Sequence, residues 1–360
     1  MKKEFDIVRK NKTDKKSFRV AQVFSQFDLQ EENLGEHFQG YFDIPEDWNV
    51  GVIVGKSGTG KSTIAKELFG DTICNFEYKA NSVIDDFDKS IPFSNIIATL
   101  SSVGFASPPS WIKPYNVLSN GEKMRVDLAR AILSNKPIVS FDEFTSVVDR
   151  EVAQLGSFAV QKAVRKNNKK FIAISCHYDI LDWLEPDWVF CTDDMSFKMT
   201  RGVHRRPKIT IDIRRTRGYW RYFRKYHYLS HNFSKRALEF TAFYKDKPVG
   251  FIAIQCYPHP VHHHMKLVHR VVVLPDYQGI GIAQNLLNFC CHYVVQYEKA
   301  DYVSIVTSLR TFAMSLNKNK NFILTHQGRI GNSHSNVGIK GLNKEGSYNR
   351  NTYSFKYIGK

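Results

Sequence analysis

Apolar residues occur in short runs separated by polar segments, a pattern typical of mixed α/β domains. Runs at 52–54, 138–141 and 171–175 predict buried strands, and alternation over 238–243 and 249–256 predicts two more. Further strands are predicted at 7–8, 18–23, 269–274 and 302–306, with a helix from 284 to about 297. The 360 residues therefore predict two α/β domains, over residues 1–200 and 201–360.

A glycine-rich loop follows the predicted strand at 52–54. Residues 55–62 read GKSGTGKS, and a helix is predicted from about Thr63 to Phe69. Such a loop turns its backbone N–H groups toward phosphate oxygens, its lysine reaches the β- and γ-phosphates, and its serine binds Mg²⁺. The predicted nucleotide ligands are Gly55, Gly58, Gly60, Lys61, Ser62 and Thr63, with Ser62 also a metal ligand.

Polar residues follow the next two apolar runs. The run at 138–141 ends in Asp142 and Glu143. Beside a phosphate loop, Asp142 is predicted to bind Mg²⁺ and ATP, and Glu143 to polarise the attacking water. The run at 171–175 ends near His177, at the carboxyl end of a parallel strand, where ligands collect in open α/β sheets.

With two further motifs, residues 45–195 resemble an ATP-binding-cassette (ABC) ATPase. Leu118–Lys123 is similar to the family signature L-S-G-G-Q, and residues 146–149 are similar to its D-loop. The resemblance makes His177 the switch histidine. It also implies that Ser119 and Gly121 contact the γ-phosphate of ATP held by a second subunit. A homodimer formed on ATP is therefore expected.

The sequence departs from the ABC pattern in two places. Between Lys61 and the signature there is no glutamine, so the Q-loop residue is missing, and whether another residue replaces it stays open. Only 58 residues separate Lys61 from Ser119, which leaves little room for the helical subdomain that grips a membrane partner. Both departures argue against a transport role.

The second half is strongly basic. Residues 201–360 hold 26 Lys and Arg against 7 Asp and Glu, a net charge of +19. Such asymmetry favours an anionic partner, most often nucleic acid and here DNA, although solubility or a bound CoA are alternatives. The predicted nucleic-acid contacts are Arg214, Arg215, Arg217, Arg221 and Arg224, which alternate with aromatic residues. The alternative is an amphipathic helix with buried aromatics and solvated arginines.

A second glycine-rich turn follows the strand at 269–274. Its residues Gln278, Gly279, Gly281 and Ala283 lead into the predicted helix. The pattern Q-x-x-G-x-A resembles the pyrophosphate loop of the GNAT acyltransferases, and the similarity covers roughly residues 215–330. The resemblance implies an α+β GNAT-like domain that binds acetyl-CoA or a related acyl donor at these four residues. A Rossmann-like turn without an acyl donor is the alternative.

A shorter resemblance concerns residues 226–230. The sequence Y-H-Y-L-S is similar to the His-Tyr-Ser element of the phage Mom family, GNAT-like proteins that modify adenine in DNA. It implies catalytic roles for His227 and Tyr228, whereas a structural histidine beneath the aromatic cluster is equally compatible with the pattern. The histidines at 259 and 262–264 fit no standard zinc spacing, which favours exposure over metal binding.

No apolar run reaches the ~18–20 residues of a membrane helix, and the N-terminus lacks a secretory signal. Six scattered cysteines favour a reduced cytoplasm, in a bacterial or phage-infected cell. We therefore expect an ABC-class ATPase fused to a GNAT-like N-acyltransferase that modifies a DNA base amine, with ATP-driven dimerisation as a clamp. The alternatives are an ATP-regulated acetyltransferase of a protein or small molecule, and a DNA-maintenance ATPase whose second half only binds.

Overall fold

The computed structural model describes residues 2–10, 17–27, 35–200, 209–227, 234, 236–329 and 351–359. The chain divides into two compact units. The first unit consists of residues 1–77 and 130–207, and the second of residues 78–129 and 208–360. Residues 78–129, which contain the signature, are thus grouped with the second half. The predicted domain limits of 1–200 and 201–360 stay a prediction.

Both units contain strands and helices. The strands are β1 (Lys2–Lys10), β2 (Gly35–Asp43), β3 (Val50–Val54), β4 (Ile138–Phe141), β5 (Lys170–Ser175), β6 (Trp188–Cys191), β7 (Ser196–Met199), β8 (Asp212–Thr216), β9 (Leu238–Tyr244), β10 (Lys247–Cys256), β11 (Met265–Val273), β12 (Tyr302–Thr307), β13 (Phe322–Arg329) and β14 (Asn351–Tyr357). The helices are α1 (Phe18–Phe27), α2 (Lys61–Phe69), α3 (Phe93–Ser102), α4 (Pro108–Trp111), α5 (Asn120–Leu133), α6 (Arg150–Lys166), α7 (Ile180–Leu184), α8 (Trp220–Phe223), α9 (Ile282–Gln296) and α10 (Arg310–Asn317).

The first unit is built on a mostly parallel sheet of order β4-β5-β3-β6-β7. Strand β3 is buried at all five positions and pairs in parallel with β5 and β6. Parallel strands buried on both faces read as continuous apolar runs, which is why these strands were predictable. An aromatic cluster around Trp188, Phe42 and Phe190 fills the core between this sheet and the two-stranded antiparallel sheet of β1 and β2.

The strand predicted at residues 18–23 is wrong, because this segment forms α1. Its apolar residues Val20, Val23, Phe24 and Phe27 recur at spacings of three, one and three, which also fit one face of a helix. Six residues are too few to distinguish the 3.6-residue period of a helix from the two-residue period of a strand. Within the described part of this helix no residue is buried.

The second unit contains a sheet of order β13-β14-β12-β11-β10-β9-β8 among the described residues. Its strands pair antiparallel except β11 and β12, which run parallel. Helix α9 packs on one face, where Tyr293 meets Phe240, and α8 packs on the other, where Phe223 stacks on Phe251. The single amphipathic helix considered for residues 201–225 is wrong: residues 212–216 form β8, α8 is only four residues long, and 201–208 lie outside the described residues.

Gly51 provides a test of the first core. A Cβ added there would lie 2.0 Å from the Trp188 ring, deep in the sheet. We expect Gly51→Ala to lower the free energy of unfolding by about 1–3 kcal/mol, as overpacked cores do. Urea unfolding measures the change. Glu67→Ala, an exposed substitution on α2, should stay within about 0.5 kcal/mol; equal stability of the two variants would contradict the packing described here.

Candidate functional site

The phosphate loop lies between β3 and α2 in the first unit. Gly60 is the N-cap of α2 with φ 78°, a left-handed conformation that turns the following N–H groups toward the loop interior. Gly55 and Gly58 lie in the loop, and Ser62 and Thr63 lie in the first turn of α2. The Lys61 ammonium donates to the Lys56 carbonyl at 2.6 Å, so it bridges its own loop. A phosphate chain fits this arrangement, because it would offer the ammonium and the amides a stronger acceptor.

The strand order brings the other predicted catalytic residues to one edge of the sheet. Strand β5 lies between β3 and β4, so the carboxyl ends of the three strands are neighbours. Asp142 and Glu143 follow β4, and the half-buried His177 follows β5. The oxygens of Ser62 and Asp142 are hard donors suited to Mg²⁺. These residues therefore form one candidate ATP site.

Glu143 has an unusual backbone conformation. Its φ is 50° and that of the buried Thr145 is 69°, in the left-handed region that side chains disfavour by roughly 1–2 kcal/mol per residue. The Glu143 side chain is exposed, and its backbone N–H donates to the Asp142 carboxylate at 2.9 Å, which holds the turn in place. Strain of this kind collects at functional sites. It is consistent with a catalytic role for Glu143 at this edge of the sheet.

The structure identifies a candidate for the missing Q-loop residue. Ile73 and Ser140 form an isolated parallel bridge, with the Cys74 N–H donating to the Ser140 carbonyl at 3.0 Å. Asn75 stands two residues beyond Ile73, just as Asp142 stands two residues beyond Ser140. Asn75 and Asp142 thus follow the bridged residues at the same spacing. Sequence analysis missed it because a single bridge leaves no strand pattern.

The signature lies at the start of α5, in the second unit. The Ser119 N–H donates to Glu122 at 3.1 Å and the Glu122 N–H donates to the Ser119 hydroxyl at 3.3 Å. This reciprocal pair is a capping box, a role that glutamate and glutamine can both fill. Ser119 is exposed, whereas Gly121 is buried. Of the two signature residues predicted to contact a nucleotide, Ser119 is therefore the accessible one.

The second glycine-rich loop lies between β11 and α9. Gly279 and Gly281 have φ of 83° and 96°, Gly281 is the N-cap of the fifteen-residue α9, and Ala283 lies in its first turn. A Cβ built on Gly281 would meet nothing within 4 Å, so open space lies in front of the helix N-terminus. A pyrophosphate fits there. The Gln278 side chain instead braces the loop, since its amide donates to the Val273 carbonyl at 2.8 Å.

Strands β11 and β12 diverge beside this loop. Their parallel pairing runs from Met265 and Tyr302 to Val268 and Ile305 and stops there, while β11 continues to Val273. Next to the divergence His269 is an extra residue in β11, because Ala253 pairs with Arg270 and Ile254 with Val268. This β-bulge re-aims the strand where the two strands part. Sequence analysis missed it because a bulge depends on register.

The structure describes one of the two residues predicted to be catalytic in the second half, His227. His227 is buried and meets the Trp220 ring edge-on at 5.7 Å, and the Arg270 guanidinium lies 5.9 Å from the same ring. Tyr228 lies outside the described residues. Burial, and then the charge of Arg270, lowers the pKa of His269 to about 4, so its imidazole is neutral near pH 7.

Glu239 is a further residue that sequence analysis missed. It is buried on β9, pairs with Ala253 and accepts the Gly218 N–H at 2.9 Å. Burial raises the pKa of Glu239, against the lowering effect of that hydrogen bond and of Arg217. Because Ala253 also pairs with Arg270, the side chains of Glu239 and Arg270 share one sheet face. Its local sequence, L-E-F-T, is that of an ordinary strand, so nothing in it indicated a functional residue.

The predicted nucleic-acid arginines fall into two groups. Arg214 and Arg215 are neighbours on β8 and therefore point to opposite faces of the sheet. Arg214 pairs with Asp212 at 2.5 Å and Asp246 at 3.2 Å, and Arg215 lies 3.9 Å from Glu298. Arg217 is exposed just after β8. The other group is exposed on and after α8, next to Trp220: Arg221, Arg224 and Lys225.

Known proteins match the two parts of the chain separately. The model of the acetyltransferase (GNAT) family matches residues 204–316. The ATP-dependent lipid A-core flippase of Vibrio vulnificus (strain CMCP6) is 26% identical over 207 residues, which cover 45% of this chain and 34% of that protein. The energy-coupling factor transporter ATP-binding protein of Malacoplasma penetrans is 28% identical over 221 residues, covering 50% of this chain and 74% of that protein.

Among solved structures, the dimeric post-hydrolysis state of an ATP-binding cassette bound to ADP and Pi is similar with a TM-score of 0.38. It is 16% identical and covers 46% of this chain and 93% of that chain. This chain spans only about a third of the length of the flippase. Within the described residues, no helix has the length and apolar character needed to cross a membrane.

The strand order, the motifs and the family model define the class of protein. The N-terminal half has the ABC-type P-loop NTPase fold, and residues 204–316 form a GNAT domain. The chain thus joins an ABC-type ATPase domain to a GNAT acetyltransferase domain. The fold class predicted from the sequence is confirmed.

Glu143 provides a test of the ATP site. We expect Glu143→Gln to keep ATP and Mg²⁺ binding, because Asp142 and Ser62 are intact, and to slow hydrolysis about 10²–10⁴-fold, because water activation is lost. ATP should then trap a dimer that size-exclusion chromatography with light scattering detects. Glu46→Gln, an exposed glutamate, is the matched control. A variant that hydrolyses ATP at the wild-type rate would exclude Glu143 from catalysis.

Proposed function

We propose that this protein is an ATP-dependent N-acyltransferase that modifies a base amine of nucleic acid, in the first instance DNA. One observation carries the proposal: the chain contains two strand–loop–helix anion sites, each with a left-handed glycine as the N-cap of its helix, Gly60 and Gly281. The first stands among ATPase motifs, and the second stands beside diverging strands in a GNAT domain.

The ATPase half acts as a clamp in this proposal. Ser62 and Asp142 hold Mg²⁺ on the ATP phosphates, Lys61 neutralises them, and Glu143 orients the attacking water. The signature at Ser119 closes on ATP bound by a second copy, so ATP binding makes a homodimer and hydrolysis opens it. Two copies closing in this way form two equivalent sites with two-fold symmetry.

The GNAT half transfers the acyl group. The amides of Gly279–Ile282 hold the pyrophosphate of acetyl-CoA or a related donor, and the amine nitrogen attacks the thioester carbonyl. A carbon–nitrogen bond forms, the carbon–sulfur bond breaks, and the amine proton passes to a base while the leaving thiolate takes up a proton. Glu239, with its raised pKa, and the neutral His269 are candidates for these proton transfers, alongside His227 and Tyr228.

Charge and exposed aromatic rings support this choice of acceptor. Arg221, Arg224 and Lys225 are exposed next to Tyr222, which is 44% exposed, and Trp220 on the same short helix meets the His227 ring edge-on. Cationic groups for phosphates and an aromatic ring for a base suit a single strand or a flipped nucleotide. The net charge of +19 over residues 201–360 favours this acceptor over a small molecule.

Transfer of label from acetyl-CoA tests the proposal. We expect radiolabel to pass to duplex DNA in the presence of ATP, and mass spectrometry of the nucleosides to show a mass increase on one base. Gly281→Asp should abolish transfer, because a carboxylate would face the pyrophosphate, and should leave ATP hydrolysis intact. Lys61→Ala should stop transfer to duplex DNA by removing ATP binding.

Gly70→Asp is the control for Gly281→Asp. Gly70 also has a positive φ, of 69°, and open space around a built Cβ, but it lies in the first unit at the end of α2. It adds the same charge at another glycine of positive φ without facing the acyl donor, although ψ is −148° at Gly70 and 4° at Gly281. Label that reaches protein or a small molecule instead of DNA or tRNA would support an ATP-regulated acetyltransferase. No transfer with any acyl donor would favour a DNA-maintenance ATPase.

The exposed cations near α8 give a second test. We expect the triple variant Arg221→Ala, Arg224→Ala, Lys225→Ala to weaken DNA binding, and to reduce the slope of log K against log salt by about 0.7–0.9 for each phosphate that is no longer neutralised. Arg214→Ala is the matched control, because its guanidinium is already neutralised by two carboxylates. Fluorescence anisotropy over a salt series measures the binding constant and its salt slope for both variants. A larger effect of Arg214→Ala than of the triple variant would indicate that DNA contacts β8 instead.

A further inference from the structure

The loop that precedes α9 is supported by residues from the ABC half of the sequence. These supporting residues belong to the second compact unit, which contains both the signature region and the GNAT sheet. Three contacts join the two regions: Arg125 with Asp276, Ala106 with Gln278, and Ser101 with Thr311. Neither the ABC nor the GNAT resemblance predicts contacts of this kind.

Arg125 makes the most deeply buried of these contacts. Its side chain is completely buried on α5, six residues after Ser119. One guanidinium nitrogen donates to the Asp276 carboxylate at 3.1 Å and the other to the Asp276 carbonyl at 2.8 Å. Burial lowers the pKa of Arg125, and the charge of Asp276 opposes that effect. Both the side chain and the backbone of Asp276, two residues before Gln278, are therefore fixed by α5.

Residues 104–106 hold the next part of the loop. The Ala106 N–H donates to the Gln278 side-chain carbonyl at 2.7 Å. Gly104 has φ 89°, and a Cβ built on it would lie 2.7 Å from the Gln278 backbone carbonyl, so only glycine permits this approach. The Gln278 side chain thus connects Ala106 with Val273, at the end of β11.

A chain of hydrogen bonds connects this contact with the signature. Glu122, which caps α5 together with Ser119, accepts the Ser110 hydroxyl at 3.1 Å. The Ser110 N–H donates to the Ser107 carbonyl at 2.9 Å, and Ser107 follows Ala106 directly. Glu122 also lies one helical turn before Arg125 and acts on its charge. Both routes to the acyl-donor loop therefore start at the residues that would meet a nucleotide.

We propose that nucleotide bound at the signature and acyl-CoA bound at the Gly279–Ile282 loop bind cooperatively, with Arg125 and Gln278 as positioning residues that join the two sites. The inference rests on the proposed function, since it requires acyl-CoA at this loop. It goes further, because it makes the affinity of this loop for acyl-CoA depend on whether nucleotide is bound at the signature.

The capping box holds the Ser119 hydroxyl at the start of both routes. The hydroxyl oxygen accepts the Glu122 N–H, and a hydroxyl can accept one hydrogen bond while donating another. A γ-phosphate from the partner subunit would accept the Ser119 hydroxyl proton and restrain the exposed N-terminus of α5. That restraint reaches the donor loop through Ser110 and Arg125. A loop that is already ordered loses less freedom when CoA binds, so the coupling is positive.

Isothermal titration calorimetry of the full chain with CoA measures the coupling. We expect a non-hydrolysable ATP analogue with Mg²⁺ to lower the Kd for CoA at least fivefold, within the usual range for coupled sites. Saturating CoA should lower the Kd for the analogue by the same factor, because coupling between binding equilibria is reciprocal. Neither measurement depends on turnover.

Arg125→Met removes the guanidinium and keeps an apolar side chain of similar length. We expect it to weaken CoA binding and to bring the coupling factor close to one, while the analogue still binds. Arg165→Met is the matched control, because Arg165 makes the same pair of contacts in the first unit, with the Asp187 carboxylate at 3.0 Å and the Glu185 carbonyl at 2.5 Å. It should keep the coupling.

Two substitutions at Glu122 test the route through Ser110 while Arg125 and Asp276 stay in place. Glu122→Gln keeps one acceptor oxygen, for the Ser119 N–H, and its amide can donate to the Ser110 hydroxyl oxygen, so the coupling should persist. Glu122→Ala removes both acceptors and should reduce the coupling, with analogue affinity measured in parallel. A merely structural role for Glu122 would change both variants alike.

The outcomes separate this inference from the proposed function. CoA that binds with the same Kd with and without the analogue, or more weakly with it, overturns the coupling and leaves the acyltransferase proposal standing. Equal coupling in Arg125→Met and the wild type removes Arg125 from the route. Failure of CoA to bind under any condition overturns both proposals.

Discussion

Both candidate sites depend on one backbone constraint, a glycine in the left-handed conformation at the start of a helix. Gly60 and Gly281 each let the chain leave a buried strand and enter a helix with its first N–H groups directed toward a ligand. Four such groups at each helix start have no partner inside the helix. An anion satisfies them and interacts favourably with the helix dipole. The sheets beneath serve to hold these two turns rigid.

The charge balance around Arg125 shows how the second unit tolerates a cation in its interior. An isolated guanidinium is costly to bury, and removing the partner of a buried pair costs about 3–5 kcal/mol. The cost of removing Asp276 falls toward the lower end of this range, because Asp276 is 41% exposed and remains partly hydrated. Five donors fixed in a plane allow one side chain to hold a carboxylate and a carbonyl together. A lysine has three donors on one nitrogen and lacks this fixed planar spacing.

The pattern of apolar runs and glycines predicted those parts of the fold whose conformation depends on neighbouring residues in the sequence. The loops at 55–62 and 278–283 are strand–glycine–helix transitions whose chemistry lies within ten residues. The helix over 18–27 was not predicted, because its short apolar run fits both periods. Glu239, His269 and the Arg125–Asp276 pair were beyond prediction for another reason. Their character arises from strand register or from burial against residues as much as 151 positions away.

The long separation between Arg125 and Asp276 also constrains the order in which the protein can fold as it is synthesised. At about 5–20 residues per second, Asp276 follows Arg125 out of the ribosome roughly 8–30 s later. Until then the guanidinium lacks this carboxylate. The buried pair of the second unit therefore forms only after the strands up to β11 have been made. Strands β4, β5 and β6 are translated in the meantime, so the first sheet has all its parallel strands before the partner of Arg125 is synthesised.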